Sequence, residues 1–560
     1  MEYVVFFSII VLFLITVTIL GQLNEKRAEQ NFRDKLQRIY GQLPEGMADY
    51  KKFLYISKYF EKHITKDAID DITWNDLSMD DVYQRMDYCY SGAGQEYLYY
   101  MLRTPMQTDD FALLEQHVEY FMKHGKLRRD CQVIFTKMAN RNKYSIYDYL
   151  DYLDNLGKRS NLVHLTADAL LVIAAIGCFF SFGSFFLMLL VIVVYNIVTY
   201  FKDKGQIDPY LSSFAYIMRL LSGADLLRRI KDAELEKEMA DLTADIHEMA
   251  AFRKGSGVLM SPTRMNSGGN PLDILVDYIR IITHIDLIKF NHMFLEVKKH
   301  RDTIDHIIGI IGKIDAEIAI GCYRASLANG YCIPAFTDEQ QLSIHNMYHP
   351  GMEHPIANSI TCERGVLITG SNASGKSTFL KMVAINAILA QSIHTVLAEA
   401  YTAPLYRIYT SMALRDDLVG GDSYYIVEIK SLKRILDAAE ARGCRVLCMI
   451  DEVLRGTNTV ERIAASTRIL AGFTHQNIQC FAATHDIELT ELLKEQYDNY
   501  HFEGEVSDND VHFNYQLQEG PAQNRNAIKL LGILGYDKGI VESAQAMADH
   551  FLETGNWSIG

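Results

Sequence analysis

No cysteine in this chain stands at a spacing that would pair it with another for metal binding. Nine cysteines are scattered over 560 residues without a CxxC. That excludes a disulfide framework and places most of the chain in a reducing compartment. Cys444 and Cys448, at the strand-like run RVLCMID (445–451), read as core. Net positive charge is lacking too. Seventy acidic residues against 55 basic ones leave −15 at pH 7, with an isoelectric point near 5.6. A surface built throughout for nucleic acid is thereby excluded, although charge acts regionally. KLRR (126–129), RRIK (228–231) and KKHR (298–301) are the local basic candidates. Each alone reads more simply as a solvated helix face. Internal repeats and low-complexity tracts are absent.

Long hydrophobic runs are what the chain does have. Tyr3 to Gly21 is almost wholly apolar and long enough to cross a bilayer as a helix. A cleaved signal peptide is the competing reading. Glu2, the lack of Lys or Arg before the run and the lack of an A-x-A-like site after it oppose that reading. A second block, Leu162 to Phe201, has about twice the length of one crossing. SFGS (181–184) divides it and predicts a helical hairpin. Asp168 and Asn196 fall near the ends of its halves, where polar groups are best tolerated. Two buried core helices of a soluble protein are the alternative. Lys26, Arg27, Arg33, Lys35 and Arg38 follow the first run, Lys158 and Arg159 precede the second, and Lys202 and Lys204 follow the third. All fall on one side of a multi-pass membrane protein whose amino terminus is outside and whose soluble parts are cytoplasmic.

The soluble parts change texture along the chain. Residues 45–160 and 206–330 read as amphipathic helices, and the spacing in LDILVDYIRIITHIDLIKF (272–290) predicts one helix. SGVLMSPTRMNSGGNP (256–271) reads as a loop. From about residue 340, β-rich runs alternate with helical stretches: GVLITG (365–370), RVLCMID (445–451) and IQCFAATH (478–485). That pattern predicts an α/β domain with a largely parallel sheet.

Between the first of those strands and the next helix lies Gly370-Ser-Asn-Ala-Ser-Gly375-Lys376-Ser377, a match to G-x-x-x-x-G-K-[ST] in the context the motif requires. The glycines let the backbone turn its N–H groups onto phosphate oxygens, and the helix adds the positive end of its dipole. Gly370, Ser371, Asn372, Ala373, Ser374, Gly375, Lys376, Ser377 and Thr378 are the candidate nucleotide-binding residues. Lys376 is expected to reach the β- and γ-phosphates and Ser377 to ligate Mg²⁺. The strand VLCMIDE ends in Asp451 and Glu452. The first suits the Mg²⁺ shell, and the second suits polarising a water for attack on the γ-phosphate. His485, at the end of FAATH, stands where it can sense the γ-phosphate or hold that water. A lone histidine is more often structural, but beside the other two motifs it becomes a catalytic candidate.

In this order the pieces resemble the MutS family of DNA mismatch-repair ATPases, relatives of the ABC ATPases. DDLVGGDSYYIVEIKSLKRIL (416–436) is similar to the family's signature segment and DEVLRGTNT (451–459) to its Walker B region. ATHDIEL (483–489) resembles its His-containing switch, and MYHP (347–350) with ANSI (357–360) the start of its ATPase domain. CYSGAGQEYLYYMLRTPMQ (89–107) is similar to its core domain, and KIDAEIAIGCYRASLANGYCIPAF (313–336) to its lever. Residues 512–547 resemble its carboxy-terminal helical portion, so the likeness covers roughly 80–155 and 285–547.

The resemblance implies an ATP-dependent homodimer in which Ser423 of one copy contacts the γ-phosphate bound by the other, with Asn372 as a polar phosphate-loop contact and ATP and Mg²⁺ as cofactors. The expected architecture is an α/β P-loop (ABC-like) ATPase domain, an all-α core and lever domain, and three transmembrane helices. Its boundaries are an anchor at 1–22, core helices at 23–160, the hairpin at 161–201, the second core and lever part at 202–336, the ATPase domain at 337–505 and a helical dimerisation segment at 506–560. The sequence departs from the family in several places. Fewer than about eighty residues precede the core match, so a mismatch-reading domain is not expected, and the hairpin replaces the clamp. Ser-Tyr-Tyr stands for the family's Ser-Thr-Phe, and Leu454 for a usual glycine. Two functions follow: a membrane-tethered ATPase handling duplex or branched DNA in a mismatch-repair-like role, or a membrane mechanoenzyme acting on a protein or lipid partner. An inactive scaffold is opposed by the intact Lys376, Ser377, Asp451, Glu452 and His485.

Overall fold

Helices build the amino-terminal part and two sheets build the rest. The computed structural model describes residues 2–44, 50–138, 144–256, 278–371, 374–412, 424–440, 445–474, 477–506, 511–522 and 535–558, with 259, 528, 531 and 533. Of the loop expected at 256–271, only 256 and 259 are among them. The helices that position the site are α1 (Glu2–Arg38), α2 (Gly92–Arg103), α3 (Leu162–Gly177), α4 (Phe182–Ile207), α5 (Ile285–Lys299) and α6 (Arg301–Ser326).

The axis of the helical body is α6. Isoleucines recur at helical spacing along it, and Ile304, Ile307, Ile311, Ile314 and Ile318 are each fully buried, one apolar stripe turned into the core. Its closest neighbour is α2. A Cβ on Gly312 would stand 2.7 Å from the Ala93 carbonyl oxygen, so only glycine allows that approach. Asp315, also fully buried, accepts from Ser91 Oγ at 2.6 Å and from the Ser91 amide at 2.7 Å. Burial pushes its carboxyl up to about 7 against the pull of those donors. At the far end of α6, Arg324 donates to both oxygens of Glu115 (2.5 and 2.9 Å), to Thr395 Oγ1 (2.9 Å) and to the His394 carbonyl (2.9 Å). This buried guanidinium fastens the helical body to the α/β part.

Ten strands are described in that part. β1 (Ala335–Phe336), β2 (Leu342–Met347), β3 (Asn358–Cys362) and β5 (Ala400–Ala403) form a small sheet in the order β1-β5-β2-β3. β4 (Gly365–Gly370), β6 (Tyr406–Ser411), β7 (Arg445–Asp451), β8 (Ile478–Ala483), β9 (Tyr497–Val506) and β10 (Val511–Glu519) form the larger one, in the order β10-β9-β4-β8-β7-β6. Every pairing in it is parallel except that of β10 with β9. Helices α7 (Lys376–Ile393), α8 (Tyr424–Ala439) and α9 (Thr459–Thr474) cover its faces. Val366, Ile368, Leu447 and Met449 face the core that α7 shares, whereas Leu367, Val446, Cys448 and Ile450 face the other, with Leu432 and Leu470. Burial on both faces explains why these strands read as continuous apolar runs. Residues 511–519, which the expected boundaries put in a helical segment, form β10 instead. Val511, Phe513, Tyr515 and Leu517 alternate with polar residues, the period of a strand.

The membrane expectation is met only in part. One described helical stretch, Phe182–Leu227, is long and apolar enough to cross a membrane, and only 6% of its apolar window is buried. That exposure is unlike a buried core helix for the apolar window itself, whereas Phe214, Ile217, Leu221 and Leu227 at the other end of the stretch are buried in the helical body. The other half of the hairpin, α3, has 16 residues, or about 24 Å of helix against the ~30 Å hydrocarbon core. It stops where the chain turns back: the Phe185 ring lies where a Cβ on Gly177 would stand, at 2.2 Å. The first run is helical within α1, which continues to Arg38. Most side chains between Tyr3 and Val11 lie outside the described ones, while Leu12, Phe13, Ile15, Ile19 and Leu20 are exposed. Among the described residues, one helical stretch and not three is long and apolar enough to cross a membrane.

A second difference lies at the root of the hairpin. The helix expected over 272–290 breaks at His284, which has φ +50° and precedes α5. Its ring explains the break: Nε2 lies 2.8 Å from the Asn196 carbonyl oxygen of α4, and Nδ1 lies 3.0 Å from His164 Nδ1 of α3. Asn196 donates in turn to the Ile282 carbonyl at 2.8 Å. Side-chain partners on the hairpin outweigh the helical period here.

Candidate functional site

The site forms where β4, β7 and β8 end side by side. β4 runs into Gly370 at φ +144°, and α7 starts after Gly375 at φ +110°. A Cβ on Gly370 would sit 2.6 Å from the Phe502 carbonyl oxygen, so this strand end tolerates only glycine. Between them the buried hydroxyl of Ser374 has no hydrogen-bond partner among the described residues. Lys376 folds back over the loop, its Nζ donating to the Gly370 and Ser371 carbonyls at 2.8 Å each. Burial lowers its pKa, with Asp451 and Glu452 opposing the shift. Ser377 Oγ donates to Asp451 Oδ2 at 2.6 Å.

Glu452 directly follows β7, in a left-handed conformation with φ +64°. Its Oε1 lies 3.0 Å from His485 Nε2, and its Oε2 is paired with Arg455 Nε. The His485 hydrogen bond leads the causes that hold its carboxyl below the ordinary glutamate value, against desolvation. The structure thus brings Gly370, Ser371, Ser374, Gly375, Lys376, Ser377, Thr378, Asp451, Glu452 and His485 to one edge of the sheet. Asn372, Ala373 and Ser423 lie outside the described residues.

Their cleft encloses about 750 Å³, and its opposite wall was not anticipated from sequence: His349, Met352, Ile356, Phe502 and Tyr515 line it. Asn358 donates to the Tyr515 carbonyl at 3.0 Å and holds β10 over the cleft. A second cleft of about 960 Å³ shares His349, Met352, Ser377 and Thr378 and is closed by Lys52, Asp81 and Arg85 of the helical body. Burial, then Lys381 and Arg85, drive the His349 imidazole down to about 4. The weak signal for this wall was the MYHP and ANSI resemblance, which located it without giving a role.

Several cations of the three basic runs are engaged within the chain. Arg128 is buried, its guanidinium 3.6 Å from the centre of the Tyr40 ring. Arg228 and Arg229 both bind Asp225, at 2.6 and 2.5 Å. Arg301 binds Asp151 and Asp154, and Lys298 lies 3.6 Å from Asp154.

Fold and cleft define an α/β domain with its site at the carboxyl edge of a parallel sheet, carried on a helical body. Residues 366–552 match the family model described as MutS domain V, and in this part the chain is similar to MutS proteins. Among curated relatives, a DNA mismatch repair protein MutS of Thermus thermophilus is 31% identical over 255 residues, 45% of this chain and 31% of that protein. The MutS protein of Natronomonas pharaonis is 30% identical over 273 residues, 45% of this chain and 31% of its own length. That of Thermotoga maritima is 32% identical over 265 residues, 46% and 33%. The match spans about a third of the length of these relatives.

Proposed function

We propose that this chain is a membrane-anchored MutS-type ATPase that binds and hydrolyses ATP between two copies of itself. The observation that carries the reading is the Ser377–Asp451 pair, at 2.6 Å, in one cleft with Glu452, whose carboxylate His485 contacts at 3.0 Å. The amides at the start of α7, next to Gly375, are placed to meet a phosphate chain. Lys376 exchanges its two loop carbonyls for β- and γ-phosphate oxygens. Ser377 and Asp451 supply two hard oxygen ligands, the donor set that magnesium uses together with substrate phosphates. When bound there, Mg²⁺ neutralises charge on the phosphates. Glu452, kept ionised by His485, orients and deprotonates the attacking water. Ile356 and Tyr515 offer an apolar wall for the base. Ser423 of a second copy completes the site, so ATP holds a homodimer together and hydrolysis releases it.

The α3–α4 hairpin and the start of α1 hold this engine at a membrane, with the amino terminus outside and both soluble parts cytoplasmic. The apolar exposure of Phe179 (90%) and Phe180 (85%) at the hairpin tip supports that placement. Coupling to DNA in a mismatch-repair-like role is the first reading, since the relatives are named for DNA mismatch repair. The second, an ATP-driven membrane mechanoenzyme acting on protein or lipid, is favoured by the ion pairs that already occupy Arg228, Arg229 and Arg301 within the chain. Fluorescence anisotropy of the detergent-solubilised protein with duplex, mismatched and branched DNA, with and without ATP, separates them. Salt-sensitive binding supports the first; binding to none of the three moves the function to the second.

A further inference from the structure

The turn that carries Glu452 is unusual in its backbone. Glu452 and Leu454 both have positive φ, +64° and +58°, and neither is glycine. Such a turn persists only where its surroundings over-determine it. One helical turn into α8, Glu428 is 2% exposed, and its Oε1 accepts from the Leu454 amide at 2.5 Å. The Arg455 amide also faces this carboxylate. Its second oxygen is buried without a partner among the described residues, an arrangement unfavourable for the fold by itself. Next to Glu428, Tyr425 packs so tightly on the same turn that a Cβ on Gly456 would stand 2.9 Å from its Cβ. Ser466 of α9 adds one contact to the turn, donating to the Val453 carbonyl at 3.4 Å.

We infer that Glu428 is a positioning residue for hydrolysis: by accepting from the backbone on the far side of the 452–455 turn, it sets the direction in which the Glu452 carboxylate points. Nothing in the geometry lets Glu428 touch nucleotide, since it is buried under the turn and absent from the lining of the cleft. Its effect falls on turnover and not on ATP affinity. What the turn requires is an acceptor oxygen at full glutamate reach; the negative charge is dispensable. The inference rests on the proposed role of Glu452 as the group acting on the attacking water.

Two variants separate reach from charge. Glu428→Gln keeps an acceptor oxygen at the same distance, and Glu428→Asp keeps the charge but withdraws it by one methylene. In full-length protein in detergent, Glu428→Gln is expected to keep kcat within about twofold of wild type. Glu428→Asp is expected to lose about tenfold or more in kcat, with the dissociation constant for ATP unchanged. The opposite ranking, equal loss in both, no loss in either, or a loss confined to ATP affinity overturns the inference. Hydrogen–deuterium exchange at the Leu454 and Arg455 amides of the wild-type protein is a second test that needs no variant. Protection of both is expected, and rapid exchange contradicts the contact. Glu452→Gln measured alongside keeps the failures apart: wild-type hydrolysis by that variant removes the proposed role of Glu452, whatever Glu428 does.

Discussion

His485 Nε2 stands 3.0 Å from Glu452 Oε1, while Arg455 Nε takes the other oxygen of the same carboxylate. The two contacts fix an anion at the end of β7, and the imidazole is the larger cause of its lowered pKa. Removing His485 therefore raises the Glu452 pKa and leaves the carboxylate held only from the Arg455 side.

His485→Ala is expected to lower kcat by about 10²–10³, within the range for a group assisting proton transfer, while ATP binding persists. The acid limb of the rate profile moves to higher pH, because a carboxylate with a raised pKa protonates earlier as pH falls. Steady-state hydrolysis measured across pH 5 to 8 checks both.

Lys376→Ala acts on binding. Its ammonium already rests on two loop carbonyls, so the barrier to reaching phosphate is a short rotation. Loss of a charge-assisted contact worth roughly 1.5–3 kcal/mol corresponds to a ten- to hundred-fold weaker ATP affinity. Equilibrium binding of a fluorescent ATP analogue measures it.

Leu454 sets two terms against each other. Its φ of +58° costs about 1–2 kcal/mol, which glycine would recover. The side chain is 1% exposed within the core of the α/β part, and deleting such a group costs about 2–5 kcal/mol, with roughly 1 more for the freedom of glycine in the unfolded chain. Burial wins. Leu454→Gly, although it restores the residue usual in the family, is expected to lower stability by roughly 2–4 kcal/mol, read from the thermal midpoint in detergent.

His349 gives the cleft an acid sensitivity. Its folded pKa, driven down to about 4, lies below the ordinary value near 6.5, so the unfolded chain binds this proton first as pH falls. The stability linked to it is fully present above about pH 6.5 and is lost progressively towards pH 4, by roughly 2–3 kcal/mol at most. His349→Gln is expected to flatten that part of the curve of thermal midpoint against pH. An unchanged slope would place the sensitivity elsewhere.

The sequence made the strands and the loop legible, because both are local. VLCMID and IQCFAA are buried on both faces, so their composition announces a central parallel strand. Gly370 and Gly375 stand at the two positive-φ positions that the loop needs. The opposite wall was hidden because it depends on long-range pairing: Tyr515 reaches the cleft only when β10 folds back along β9 and Asn358 catches it. Apolar periodicity continues through His284, and only the hairpin rings beside it show why the helix stops there. Nor does a run such as RRIK reveal that Asp225, placed one helical turn earlier, binds both of its arginines.

Glu452→Gln full-length protein, purified in detergent and weighed by light scattering with and without Mg-ATP while phosphate release is followed, tests the central claim most directly. The account expects ATP to be retained, phosphate release to fall by about a hundredfold or more, and the mass to double to that of two chains when ATP is added. A variant that stays monomeric with ATP bound, or that releases phosphate at the wild-type rate, contradicts it.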